Sequence, residues 1–186
     1  KQTAETISIK TERDWESVQL ITRFTLHAND DKLHIITEMK NTGNKTYQDL
    51  LSGYVLWPDG GYLFGLPGMK GIKTGKTDKA IANWSGYYDS NWALGLHAPF
   101  ANYSDHDARD RYLQHALKPG ESRSFEAWLQ VANRGELAPM VKGEIELNSL
   151  ASGKISGRIA KDVFEKMQEN DIEPQQIVEQ EGLIQQ

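Results

Sequence analysis

Between Leu33 and Trp57 the chain reads LHIITEMKNTGNKTYQDLLSGYVLW, two apolar-rich runs around a cluster of turn formers. Period-two alternation constrains this stretch more than any other, because successive side chains of an extended strand point to opposite faces. Leu33, Ile35, Thr37 and Met39 fall on one face of the first run, and Tyr47, Leu51, Val55 and Trp57 on one face of the second. Asn41, Thr42, Gly43 and Asn44 lie between them, residues that tolerate positive φ and hydrogen-bond locally, so a β-hairpin is expected. The same grammar recurs from Glu16 to Leu147, which makes the body antiparallel β.

Residues 1 to 15 are polar, and only Ile7 and Ile9 alternate, which supports at most a short edge strand. Val18, Leu20, Thr22, Phe24 and Leu26 line one face of the next run, and Asn29, Asp30 and Asp31 turn it into the Leu33 strand as a meander. After Trp57 a glycine-dense loop carries one short strand near Tyr62 to Phe64. Strands are expected again at Ala80 to Trp84, Asn91 to His97, Arg111 to Leu117 and Ser124 to Val131. The last two flank Lys118-Pro119-Gly120-Glu121, where Pro presets φ and Gly accepts a positive value. Met140 to Leu147 reads as the final strand, giving about nine or ten at the spacing of a sandwich or barrel.

From Asn148 the period changes. Ile159, Val163, Phe164 and Met167 recur at helical spacing, and Pro174 opens a second short helix that Gly182 stops. The expected organisation is an antiparallel β-sandwich over 1–147 and a helical tail of two short helices over 148–186. So short a helix pair needs a surface to dock on, whether the sandwich, another chain or a neighbouring domain.

The 186 residues suffice for one core. A net charge of -5 argues against DNA or RNA held by broad phosphate electrostatics. With no cysteine, disulfides, thiolate metal sites and cysteine nucleophiles are excluded. No apolar run is long enough to span a bilayer, and the start on Lys1 is expected of a processed or excised chain.

Candidate site residues divide by chemistry. Trp84, Tyr87 and Tyr88 cluster with Asp89 at a strand junction, where rings could stack on the apolar faces of a sugar and the carboxylate could take hydroxyls. Acid–base work on a sugar needs a proton donor and an acceptor in one cleft. His34 and Glu38 share a strand face but lie about 13 Å apart along it, too far for contact. His97 is better placed at a strand end, with Glu126 or Asp89 as partner from a neighbouring strand, and His34 is the other candidate acid. Asp105, His106 and Asp107 offer hard oxygens and an imidazole, though their spacing fits no EF-hand or zincin pattern. No phosphate loop or nucleophile elbow is visible, and no cofactor is expected.

Two resemblances bear on these readings. The strand ending in Asn41-Thr42-Gly43 and the LKPGESRSFEAWLQV turn and strand are similar to the galactose-mutarotase-like supersandwich, a likeness covering about 16–147. It implies a fold found in sugar epimerases, in polysaccharide lyase domains and in non-catalytic modules beside secreted bacterial hydrolases. The tail, SGKISGRIAKDVFEKMQENDIEPQQIVEQEGLIQQ, resembles the C-terminal tail of the B subunit of the tRNA-dependent Asp/Glu amidotransferase, through Gly153, Lys154, Ile155, Phe164, Met167 and Pro174 among others. That family's tail is a small helical domain that contacts tRNA. From 151 onward, however, four Lys and Arg face seven Asp and Glu, a local net of -3.

The expectation is a non-catalytic carbohydrate-binding or accessory module of a larger, secreted bacterial protein. Its partners would be a glycan or small polar ligand and a neighbouring domain on the helical tail. The alternatives are an epimerase or lyase using a His and Glu126, and a tRNA-associated module working through the tail. The first two imply a periplasmic or extracellular setting and the third a cytoplasmic one.

Overall fold

The computed structural model describes residues 5–56, 62–66, 69–73, 83–106 and 109–132, with 139–140, 142–144 and 146–147 further on. Eleven strands follow in order: β1 (Thr6–Trp15), β2 (Val18–His27), β3 (Lys32–Asn41), β4 (Tyr47–Val55), β5 (Leu63–Leu66), β6 (Met69–Lys73), β7 (Trp84–Tyr88), β8 (Ala93–His97), β9 (Tyr103–Asp105), β10 (Asp110–Leu117) and β11 (Ser122–Ala132). They form an eight-stranded sheet, β1-β2-β3-β11-β8-β7-β5-β6, and a three-stranded sheet, β4-β10-β9. Every pairing is antiparallel. The chain divides into two compact units, Lys1–Leu137 and Ala138–Gln186.

The first unit is an antiparallel β-sandwich. Val18 and Met39 of the large sheet, with Phe125, pack against Tyr47 and Leu117 of the small one. A second cluster of Leu96, Ala98 and Ala127 adjoins it through Tyr54 and Phe100. Tyr54 joins the layers twice over. Its ring meets Phe100 edge-on at 5.8 Å and Phe125 at 5.3 Å, while its hydroxyl lies 2.9 Å from Thr37 Oγ1, which in turn lies 2.9 Å from Thr22 Oγ1. Burial pushes the Tyr54 hydroxyl up to about 12.

β1 to β3 form the expected meander, but β1 is a full ten-residue strand rather than a short one. Pairing with β2 along its whole length supplies the order that its polar composition does not advertise. The Leu33–Trp57 stretch is not a hairpin. β3 lies in the large sheet and β4 in the small one, so the link between them is a corner. Among the described residues the positive φ values fall at Glu16, Asn29, His106 and Gly120, not at 41–44. The corner is fixed instead by the buried Asn41 amide, which donates to Lys45 O and Leu117 O and accepts from the Gly43 N–H. Gly43 is needed for close approach, since a Cβ there would sit 2.6 Å from Ser17 Cβ.

The inward face of β4 also differs from the alternation read off the sequence. Ser52 is buried and Leu50 and Tyr54 pack on the core, whereas Leu51 and Val55 are exposed. The cause is a bulge: between the His115↔Leu50 and Leu117↔Tyr47 pairs, β4 advances one residue more than β10. That extra residue switches the face on which each side chain emerges.

A further departure from the sequence pattern lies at 138 and beyond. The residues described at 139–140, 142–144 and 146–147 are helical, not the expected final strand. Lys142 Nζ stands 3.9 Å from Glu146 Oε1, the four-residue spacing that stabilises a helix. The helical tail expected for 148–186 and the ring of Trp57 lie outside the described residues.

Removing the Tyr54 hydroxyl tests the tie between layers. The folded state favours the protonated phenol, so this contribution is full below pH 10 and is lost as pH rises toward 12. Tyr54→Phe is expected to cost about 1 kcal/mol near neutrality and to flatten the alkaline loss of stability, as measured by urea denaturation across that range.

Candidate functional site

Directly opposite residues on paired strands share a face of the sheet. On the large sheet, Ile35, Thr37 and Met39 of β3 and Phe125, Ala127 and Leu129 of β11 turn toward the small sheet. The residues between them occupy the far face. There His34 lies opposite Trp128, and the two rings stack in parallel, 4.9 Å apart at 6°. Glu126, one pleat along β11, accepts a hydrogen bond at 3.0 Å from His34 Nε2. An ionised carboxylate only accepts, so the ring nitrogen is the donor.

Glu126 also lines one of two adjoining hollows. One, of about 470 Å³, is lined by Ile36, Pro99, Phe100, Ser124, Phe125 and Glu126. The other, of about 400 Å³, shares Ile36 and Ser124 and adds Gln19, Glu38, Lys40 and Arg123. Arg23 Nη1 donates to Glu38 Oε1 at 2.9 Å on the same face. The arrangement offers an apolar floor at Ile36 with charged and hydroxyl-bearing side chains around it, the composition of a site that orients a small polar ligand.

A second polar chain runs farther along this face. His97, fully buried, donates from Nε2 to Gln130 Oε1 at 2.8 Å, and Gln130 Nε2 donates to Asp31 Oδ2 at 2.6 Å. Asp31 also accepts from Lys32 Nζ at 2.7 Å. Burial alone would raise the Asp31 carboxyl, but the bonds from Lys32 and Gln130 hold it below the usual carboxylate range. His97 is therefore committed to Gln130, and the expected His97–Glu126 pair does not form. Glu126 pairs with His34 instead, two residues 92 positions apart that β3 and β11 bring side by side.

The aromatic cluster is mostly interior. Trp84 is 5% exposed, and Tyr87 is fully buried with its ring 5.2 Å from Phe64. Neither presents a free face for stacking, because both side chains are covered, Trp84 on the same face of the sheet as His97 and Trp128. Tyr88 is half-buried. Asp89 caps the β7–β8 turn, accepting from the Asn91 N–H at 2.7 Å and the Trp92 N–H at 3.0 Å.

The acidic loop is bonded largely from within, although Asp110 Oδ1 is buried without a hydrogen-bond partner among the described residues. Asp105 accepts from the His106 N–H, while His106 Nδ1 donates at 2.9 Å to Asp110, which also accepts from the Tyr112 hydroxyl. Burial first and the Asp110 carboxylate second push that hydroxyl up. Asp107 lies outside the described residues, and among those described no three His, Asp or Glu side chains are grouped to hold a metal ion. No helix among them is long and apolar enough to cross a membrane.

The described body is thus an antiparallel β-sandwich with adjoining hollows at Ile36 and Ser124 of its large sheet. Residues 130–186 match the model of the GatB domain family. Over 49 residues the chain is 53% identical to the B subunit of the aspartyl/glutamyl-tRNA(Asn/Gln) amidotransferase of Prosthecochloris aestuarii, covering 26% of this chain. The chain spans only 10% of the length of that relative. This agrees with the likeness carried by the SGKISGRIAKDVFEKMQEN string.

Among solved structures, the chain is similar to the GH36 alpha-galactosidase AgaB from Geobacillus stearothermophilus, with a TM-score of 0.45 and 11% identity over 76% of this chain and 25% of that one. It is also similar to the Slr1438 protein from Synechocystis, with a TM-score of 0.39 and 12% identity over 72% of this chain and 64% of that one. A third, a putative aldose 1-epimerase from Escherichia coli K12, has a TM-score of 0.31 and 15% identity over 72% of this chain and 67% of that one.

Trp84→Ala separates an interior ring from a surface one. It is expected to lower the unfolding free energy by about 3–5 kcal/mol, read from urea denaturation; an unchanged midpoint would place the ring at the surface.

Proposed function

We propose that the sandwich is a non-catalytic module that holds a small, hydroxyl-rich ligand of the carbohydrate class on the far face of its large sheet. The observation that carries this reading is Glu126, which lines the 470 Å³ hollow and bonds to His34, whose ring is stacked on Trp128. A carboxylate and an imidazole fixed in this way can accept from and donate to neighbouring hydroxyls, while Ile36 meets the apolar side of a ring. Catalysis at this pair is disfavoured by its own geometry. An acid and a base acting on opposite sides of a sugar need room for the ring between them, and these two groups are bonded to each other. Binding of monosaccharides and short glycans, followed by calorimetry or on an array, is expected to fall about tenfold or more in Glu126→Gln and His34→Ala. Binding by both variants equal to that of the unaltered chain would remove the site.

The match over 130–186 favours a second reading for the other unit. In it, the segment serves as a tRNA-associated element, as the name of the matched relative suggests. The full chain is then expected to retain tRNA at moderate salt and a chain ending at Leu137 to lose it. Equal retention, or none in either, would set this role aside.

A further inference from the structure

β1 is the end strand of the large sheet among the described residues, and it is exposed along its whole length. Ile7 and Ile9 are 63% and 59% exposed, and Trp15 is 43% exposed. These three emerge on the face that β2 turns toward the core, because Ile7, Ile9 and Trp15 lie opposite Leu26, Phe24 and Val18. A long, regular edge carrying apolar side chains is a template for a further strand. The residues on this edge specify which strand it takes.

In an antiparallel pair, alternate residues exchange both backbone bonds with the neighbour and the others point away. The Ala28 N–H donates to Glu5 O, and the register sets Thr6 opposite His27. Ile7, Ile9, Thr11, Arg13 and Trp15 therefore bond to β2. Thr6, Ser8, Lys10, Glu12 and Asp14 turn their N–H and C=O groups to the free edge.

A second β1 laid antiparallel on this edge can pair outward-facing residues only with outward-facing ones. An axis beside Lys10 would set Lys10 against the partner's Lys10, and an axis beside Glu12 would set Glu12 against the partner's Glu12. Either arrangement opposes like charges. An axis beside Thr11 instead sets Lys10 opposite the partner's Glu12, and Glu12 opposite the partner's Lys10. It keeps Ile7 to Trp15 in the ladder and brings Ile7 against the partner's Trp15. Lys10 and Glu12 already form an ion pair within the strand, so the four charges alternate in sign around the axis.

We propose that β1 is a self-complementary edge on which a second copy of this chain docks, joining two large sheets across a two-fold axis beside Thr11. The contact is isologous and closes at two copies. Opposite charges facing across strands favour it, and like charges would oppose it.

The test uses the full chain and its mass in solution by light scattering or sedimentation over a range of concentrations. The unaltered chain is expected to reach twice the monomer mass. Lys10→Glu alone and Glu12→Lys alone each set like charges face to face and are expected to weaken association about tenfold. The double variant carrying both substitutions restores opposite charges and is expected to restore the dimer. The native sequence has no cysteine, so Thr11→Cys gives a second readout. Residues facing each other at a non-bonded pair lie about 4.5 Å apart at Cα, within disulfide range. Oxidised Thr11→Cys is expected to run as a covalent dimer, and Asp14→Cys, which faces the partner's Ser8, is not. A chain that remains monomeric at its highest soluble concentration overturns the proposal. So does a dimer indifferent to the charge substitutions or not cross-linked through position 11.

Discussion

The sandwich depends on how the side-chain amide of Asn41 is used. This residue has no exposed surface, and a buried amide left short of partners would cost more than its bonds return. Its nitrogen donates to carbonyls at Lys45 and Leu117, and its oxygen accepts from Gly43. Its own backbone accepts from the Gly120 N–H and donates to Glu121 O. One residue therefore fixes two crossings between layers, the one from β3 to β4 and the one from β10 to β11. With both crossings set, the Tyr54, Phe100 and Phe125 rings meet in the space between the sheets.

Much of the strand content is legible in the sequence, because alternation is a local property. Val18 to Leu26 and Leu33 to Met39 show their core faces directly, and Pro119-Gly120 marks a turn whose glycine does take a positive φ. Which sheet a strand joins is not local. Asn41-Thr42-Gly43-Asn44 has the composition of a hairpin turn, yet it serves as a corner because the Asn41 amide has partners in β10 and the following loop. β1 reads as weak for a related reason: its order comes from β2, not from its own residues.

The site was legible in parts and not in its pairing. His34, His97 and Glu126 can each be singled out by chemistry, but the choice between the histidines rests on register. Trp128↔His34 and Trp128↔His97 place the two rings on either side of one tryptophan. Gln130 then takes His97 and leaves Glu126 to His34. No short-range signal announces a glutamine as the deciding residue. Trp84 and Tyr87 misled for a physical reason: large rings near polar neighbours have the same composition whether they line a cleft or fill a core. The GatB-like segment was the easiest part to recognise, since its likeness lies in one uninterrupted string.

The bulge in β4 has a further implication. Between Tyr47 and Leu50 the strand is one residue longer than its partner requires, and that surplus lets Tyr47 and Tyr54 both reach the interior from opposite phases of the pleat. Chain length at this point is thus as much a part of the specification as residue identity. Deleting Gln48 or Asp49 would force either end of the strand to turn its tyrosine toward solvent, whereas exchanging their exposed side chains would leave both phases intact. Relatives of this sandwich should therefore vary freely in composition at the bulge while keeping its residue count.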